Sequence, residues 1–118
     1  NKLLKDHLMC GQHVCFRSSG WCLWPRVRSN DQCAFEPVRA EEQVNVGGIV
    51  FCQVQPGDRF FAHNVKAKAV WPDSGRTYFT IANLHDRENG WCYIEHIYGR
   101  LIEVLAASAG DRLIELLP

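Results

Sequence analysis

At 118 residues, with 13 basic against 13 acidic side chains and a hydrophobic share of 47%, the chain has the makings of one globular domain with its own core. A formal net charge of zero argues against a nucleic-acid reader, which needs a basic surplus to neutralise phosphates. No apolar run approaches the ~20 residues that cross a bilayer, which sets aside a transmembrane helix within this stretch.

Leu3, Leu4 and Leu8 recur at near-helical spacing among Lys2, Lys5, Asp6 and His7, so residues 1–12 read as an N-terminal helix or arm. From His13 the texture changes to short β-type runs separated by turn residues, which predicts a mostly β domain over 13–105. Val14-Cys15-Phe16 is the first strand, and Ser18-Ser19-Gly20 the turn that delivers Trp21-Cys22. Pro25 prevents a helix, Ser29-Asn30-Asp31 is an Asx-type turn, and Gln32 to Val38 is a strand closed by Pro37. Arg39 to Asn45 is a polar surface loop.

Gly47-Gly48 introduces Ile49 to Val54, the strongest strand in the chain, and Pro56-Gly57-Asp58 turns it into a second arm from Arg59 to Val65, continued by Lys66 to Val70. Pro72-Asp73-Ser74-Gly75 makes the next turn and Thr77 to Ala82 the next strand. Asn83 to Gly90 reads as a charged loop, Trp91 to Ile94 as the approach to a last strand, and Ile97 to Leu105 as that strand. Gly99 inside it signals a bulge or a close backbone approach. Residues 106–118 are a tail rich in Ala and Leu with the pattern of a short helix.

Six cysteines, at positions 10, 15, 22, 33, 52 and 92, are many for this length. Cys33, Cys52 and Cys92 sit in apolar runs, where a reduced cysteine acts as a small hydrophobe. No paired ligands occur at zinc spacing, so the sequence predicts neither a metal nor another cofactor, and a reducing compartment of the cytoplasmic kind is favoured over a disulfide framework. Cys22 differs from the others. It lies between Gly20 and Pro25, where the backbone must bend around one thiol. A thiol, a histidine on a hairpin arm and an acid in a later loop then follow in chain order as Cys22, His63 and Asp86. These are the residue types of a nucleophile, a general base and an orienting carboxylate.

The order of segments resembles the catalytic β-domain shared by type I signal peptidases and LexA-type self-cleaving repressors. Those families carry the nucleophile in a Ser-Met-x-Pro segment preceded by Gly, and Gly20-Trp21-Cys22-Leu23-Trp24-Pro25 is similar, with Cys in place of Ser. Val44-Asn45-Val46-Gly47-Gly48-Ile49-Val50 resembles the Gly-Asp-Ile-Val strand that follows, with Gly48 at the aspartate. Phe60-Phe61-Ala62-His63-Asn64-Val65 matches the base segment in its histidine, endoplasmic-reticulum form. Asp86-Arg87 matches that form's catalytic Asp-Arg pair, and Ile97-Tyr98-Gly99-Arg100-Leu101 its closing strand.

The resemblance spans about residues 14 to 105 and implies a compact fold of coiled antiparallel sheets. It implies a peptidase that cuts another polypeptide or its own upstream segment. In that reading Cys22 attacks, His63 serves as base, Asp86 orients His63, and Gly20, Trp21, Leu23 and Trp24 shape the oxyanion and binding region around the Cys22 N–H. Gly20 stands where signal peptidases carry an oxyanion-stabilising serine. The aromatics Trp21, Trp24, Phe60, Phe61, Trp71 and Trp91 are candidates for the walls of a peptide groove. The same residues admit a second reading, a catalytically silent module of this fold that binds a peptide or protein partner in that groove.

Overall fold

The computed structural model describes residues 2–18 and 26–106. After one short helix, α1 (Lys2–Met9), come seven strands: β1 (Val14–Arg17), β2 (Gln32–Pro37), β3 (Ile49–Val54), β4 (Arg59–Val70), β5 (Thr77–Ala82), β6 (Glu88–Cys92) and β7 (Ile97–Leu105). Single 3-10 turns sit at Glu41–Gln43 and Ile94–His96. The strands form one antiparallel sheet in the order β1-β2-β7-β3-β4-β5-β6, so the last strand is inserted between β2 and β3. The fold is mostly β, as the alternating runs and turn residues predict.

The sheet curls because bulges interrupt its registers between Ala34 and Phe35, Phe51 and Cys52, Val65 and Ala67, and Ile81 and Ala82. Each bulge adds local right-handed twist. The curl is tight enough for Gln55, just past β3, to bridge to Trp91 on β6. Gln55 N–H donates to the Trp91 carbonyl at 2.8 Å and Trp91 N–H to the Gln55 carbonyl at 3.1 Å. Strands β3 to β6 thus wrap a first core of Val44, Val50, Cys52, Val54, Val65, Phe79, Ile81, Cys92 and Ile97.

The opposite face, covered by α1, holds a second core built on Leu8, Val27, Cys33, Phe35, Ile49, Phe51 and Tyr98. Strand β3 explains its own sequence. Val50, Cys52 and Val54 enter the first core while Ile49 and Phe51 enter the second, so a strand covered on both sides is apolar at every position but Gln53, whose side-chain oxygen accepts from the Tyr98 hydroxyl at 2.8 Å. Gly99 marks the close approach expected of it. A Cβ there would lie 3.0 Å from both Leu8 Cδ atoms and 3.1 Å from the Glu36 carbonyl, so α1 and β2 close over bare backbone.

Two differences from the sequence reading concern polar stretches. Asn83 to Gly90 is not loop throughout, because β6 begins at Glu88. Pairing with β5 supplies the ladder that a charged run does not advertise. The polar 39–45 stretch contains the Glu41–Gln43 turn, in which the Gln43 side-chain oxygen accepts from the Arg39 and Ala40 N–H groups. The expected helical tail lies outside the described residues except for Ala106.

Candidate functional site

Cys22 and its neighbours Gly20, Trp21, Leu23 and Trp24 lie outside the described residues. The residues on either side are firmly tied. Ser18 N–H donates to the Asp31 carbonyl (2.9 Å), Asn30 N–H to the Ser18 carbonyl (2.9 Å), and the Ser18 hydroxyl to the Arg28 carbonyl (2.6 Å). Asp31, only 6% exposed, turns its carboxylate back onto the Arg28 N–H at 2.8 Å, and Val27 is buried in the second core. Asn30, at φ 72°, takes the left-handed conformation that an Asx turn tolerates.

Arg26 carries this anchorage toward β4. Its guanidinium donates to the Gly47 carbonyl at 2.5 Å, and the Gly47-Gly48 turn is doubly bonded to Val65, which donates to Gly48 and accepts from Gly47, each at 2.8 Å. Val65 is two residues from His63. A pocket of about 150 Å³ opens beside these elements, lined by Arg26, Gln43, Asn45, Val50 and Arg100 among others. Val50 lies opposite both His63 on β4 and Arg100 on β7, so these three residues form one row across the sheet. Arg100 is held by Glu36 at 2.5 Å and by the Gln43 carbonyl at 3.2 Å.

His63 is half-buried, with its ring stacked on Phe61 at 5.0 Å between centroids. The Arg59 guanidinium lies over the other aromatic of that face, 5.4 Å from the Phe61 centroid. Nδ1 of His63 is 2.6 Å from Oδ1 of Asn89. An amide oxygen at this distance suits an Nδ1–H, the tautomer in which Nε2 keeps its lone pair. Burial lowers the His63 pKa from its usual value by disfavouring the imidazolium, and the Asn89 hydrogen bond opposes that shift in part. The lowered pKa favours the neutral ring near pH 7.

The structure brings His63 together with Asn89 and brings Asp86 together with Lys66. The Asp86 carboxylate is mostly exposed and sits 3.0 Å from Lys66 Nζ, which also holds Glu88 at 3.1 Å. Asp86 adopts φ 67° in a turn organised by Asn83, whose side-chain oxygen accepts from the His85 and Arg87 N–H groups at 2.9 and 3.0 Å. These two carboxylates raise the Lys66 pKa.

The four described aromatics of the expected groove do not form one wall. Phe60 stacks on Phe51 toward the second core, Phe61 lies under His63, and Trp71 and Trp91 join Tyr78 and Tyr93 in a separate cluster. Asn89 is the residue that sequence reasoning passed over. Its one available signal was the Asn89-Gly90 dipeptide, a turn signature inside what read as a charged loop.

Among the described residues no three His, Cys, Asp or Glu side chains are grouped to hold a metal ion, and no helix is long and apolar enough to cross a membrane. No protein-family model, curated protein or solved structure matches the chain.

Proposed function

We propose that the chain is a peptidase-type domain of the signal-peptidase and LexA kind, with Cys22 as nucleophile and His63 as its base. His63 Nε2 takes the thiol proton as sulfur bonds to the peptide carbonyl carbon. The resulting oxyanion is held by the Cys22 N–H within the Gly20–Trp24 segment. The same proton passes to the leaving amine as the C–N bond breaks, and water then releases the acyl group from sulfur. The substrate is a polypeptide, either another protein or the chain's own upstream segment.

The observation that carries this reading is the bond between His63 Nδ1 and Asn89 Oδ1, made by a half-buried ring whose pKa is lowered. A neutral imidazole with one nitrogen engaged and the other basic is what a thiol needs beside it. Further support comes from the flanks of the Cys22 segment. Arg26, four residues beyond Cys22, and Val50, opposite His63, line the same pocket. Asp86, at the acid's place in the resemblance, contributes charge beside Lys66 at the entrance to β6.

Alkylation of each cysteine, followed by mass spectrometry across pH, tests the reading. Cys22 is expected to stay reactive well below the ordinary thiol pKa of about 8.5 and to lose that advantage in a His63→Ala variant. Cys22→Ala is expected to abolish labelling by a peptide electrophile at this site. Ordinary thiol behaviour at Cys22, indifferent to His63, would overturn the peptidase and leave the silent peptide-binding module.

A further inference from the structure

Strand β6 does not pair evenly with β5. Ile81 lies opposite Gly90 and Ala82 opposite Glu88, which leaves Asn89 as the extra residue of a bulge. Bulges re-aim side chains, and this one directs the Asn89 amide onto the His63 ring while its backbone carbonyl accepts from Arg59 Nη2 at 2.7 Å. The bulge is fixed on both sides. Before it, Lys66 clamps Asp86 and Glu88. After it, Gly90 at φ 144° passes so close under Gln55 that a Cβ would lie 2.2 Å from the Gln55 carbonyl oxygen. Lys66 is itself the extra residue of the facing bulge, since Val65 pairs with Ile81 and Ala67 with Thr80. Two bulges on either side of β5 thus place Lys66 against the acids and Asn89 against the histidine.

We propose that Asn89 is the positioning residue for His63: its amide oxygen holds the imidazole as the Nδ1–H tautomer and leaves Nε2 free to act as base. The proposal rests on the reading of His63 as the base for Cys22, and it gives the orienting task to an amide where the resemblance has Asp86. An amide differs from a carboxylate in one respect that matters. It fixes tautomer and ring orientation but brings no charge that would keep a proton on the ring.

The charged groups around His63 fit a base that rests neutral. Arg59 adds positive charge over Phe61 on the same strand. Lys66 pairs with both Asp86 and Glu88, and Arg100, across β3, is paired with Glu36. A thiol gives up its proton far more readily than a hydroxyl, so a cysteine nucleophile depends less on an anionic orienter.

Imidazole nitrogen shifts measured by NMR on the 15N-labelled full chain, through a pH titration, test the proposal directly. Wild type is expected to show His63 protonated at Nδ1 and bare at Nε2. Asn89→Asp is expected to keep that tautomer while raising the His63 pKa by about 1–3 units, the effect of a carboxylate at hydrogen-bond distance. Asn89→Ala is expected to release the tautomer and to slow Cys22 alkylation near neutral pH, with Asn89→Asp restoring it. An Nε2–H tautomer in wild type, an unchanged tautomer in Asn89→Ala, or an unmoved pKa in Asn89→Asp would overturn it. The ring is read whether or not Cys22 reacts. A correct tautomer beside an inert thiol would therefore uphold the positioning role and remove the peptidase reading.

Discussion

Replacing Gly90 by alanine tests whether the curl of the sheet is as tight as the Gln55–Trp91 bridge implies. Two costs add at this position. A φ of 144° belongs almost entirely to glycine, and forcing another residue into such a region costs about 1–3 kcal/mol. The new methyl would also lie 2.2 Å from the Gln55 oxygen, which is backbone held in the bridge to Trp91, and 3.2 Å from Val54 Cγ2 in the first core. Relief requires β6 and Gln55 to part, which strains the two bridge hydrogen bonds, each with a net value of about 1 kcal/mol. Reduced freedom of the unfolded chain returns roughly 0.4–1 kcal/mol, leaving a net loss of about 3 kcal/mol.

Gly75→Ala is the control, because Gly75 has φ 71° with nothing within 4 Å of the new Cβ. There only the left-handed backbone term applies, about 1–2 kcal/mol before the same offset. In urea, with an m-value of about 1.5 kcal/mol/M, the Gly90 midpoint is expected to fall by about 2 M and the Gly75 midpoint by well under 1 M. Equal shifts in the two variants would refute the close approach of β6 to Gln55.

Two further outcomes follow from the titratable groups. In the folded protein an alkylating reagent near pH 8 is expected to modify Cys10 and Cys15, which are exposed, and to spare Cys33, Cys52 and Cys92 until urea is added. Burial pushes the Cys33 thiol up to about 11, and the Cys92 thiol against Cys52, together with burial, raises Cys52 well above its usual value. Native-state labelling of any of these three at the rate of Cys10 would contradict the packing of the cores. His63 predicts a pH effect of defined sign. Its folded pKa is lowered while the unfolded chain titrates at about 6.5, so the unfolded state binds more protons as pH falls. Its stabilising contribution is full above the unfolded value and is lost as pH drops through the folded one. Urea midpoints at about pH 7.5 and about pH 5 are expected to fall further in wild type than in His63→Gln, and an equal fall in both refutes the assignment.

Much of the fold was legible because the strands of this chain are buried in ways that write themselves into residue type. Ile49 to Val54 is apolar on both faces except at Gln53 because both cores need it, and its bounds, like those of Thr77–Ala82 and Ile97–Leu105, follow from the apolar runs and their flanking turns. Strand β6 was hidden for the opposite reason. Glu88 and Asn89 are polar residues at a bulge, and only the β5 partner makes them a strand.

The insertion of β7 between β2 and β3 has no local signature either, since it depends on which edges remain open once the hairpins have formed. The site divides along the same line. His63 stood out as a histidine within a β-rich arm, whereas the group that bonds it carried no more than the turn signature of Asn89-Gly90. Nothing in the run from Asn83 to Asn89 says which of its polar side chains turns inward, and the answer depends on a one-residue offset in register.

The late position of β7 in the chain bears on when the candidate site exists at all. Ser18 and Arg28 to Asp31 belong to the β1–β2 side of the sheet, while His63 and Asn89 belong to the β3–β6 side. Among the described residues, the strand that joins the two sides is β7, which pairs Gln32 with Leu105 and Val50 with Arg100. During synthesis, the hairpins from β3 to β6 have all their residues before β7 emerges from the ribosome, but β1 and β2 cannot yet be joined to them as one sheet. Pairings so distant in sequence are also the slow ones to close. This order acts as a built-in delay: the β1–β2 and β3–β6 sides of the sheet are joined through β7 only after the chain has been made through Leu105.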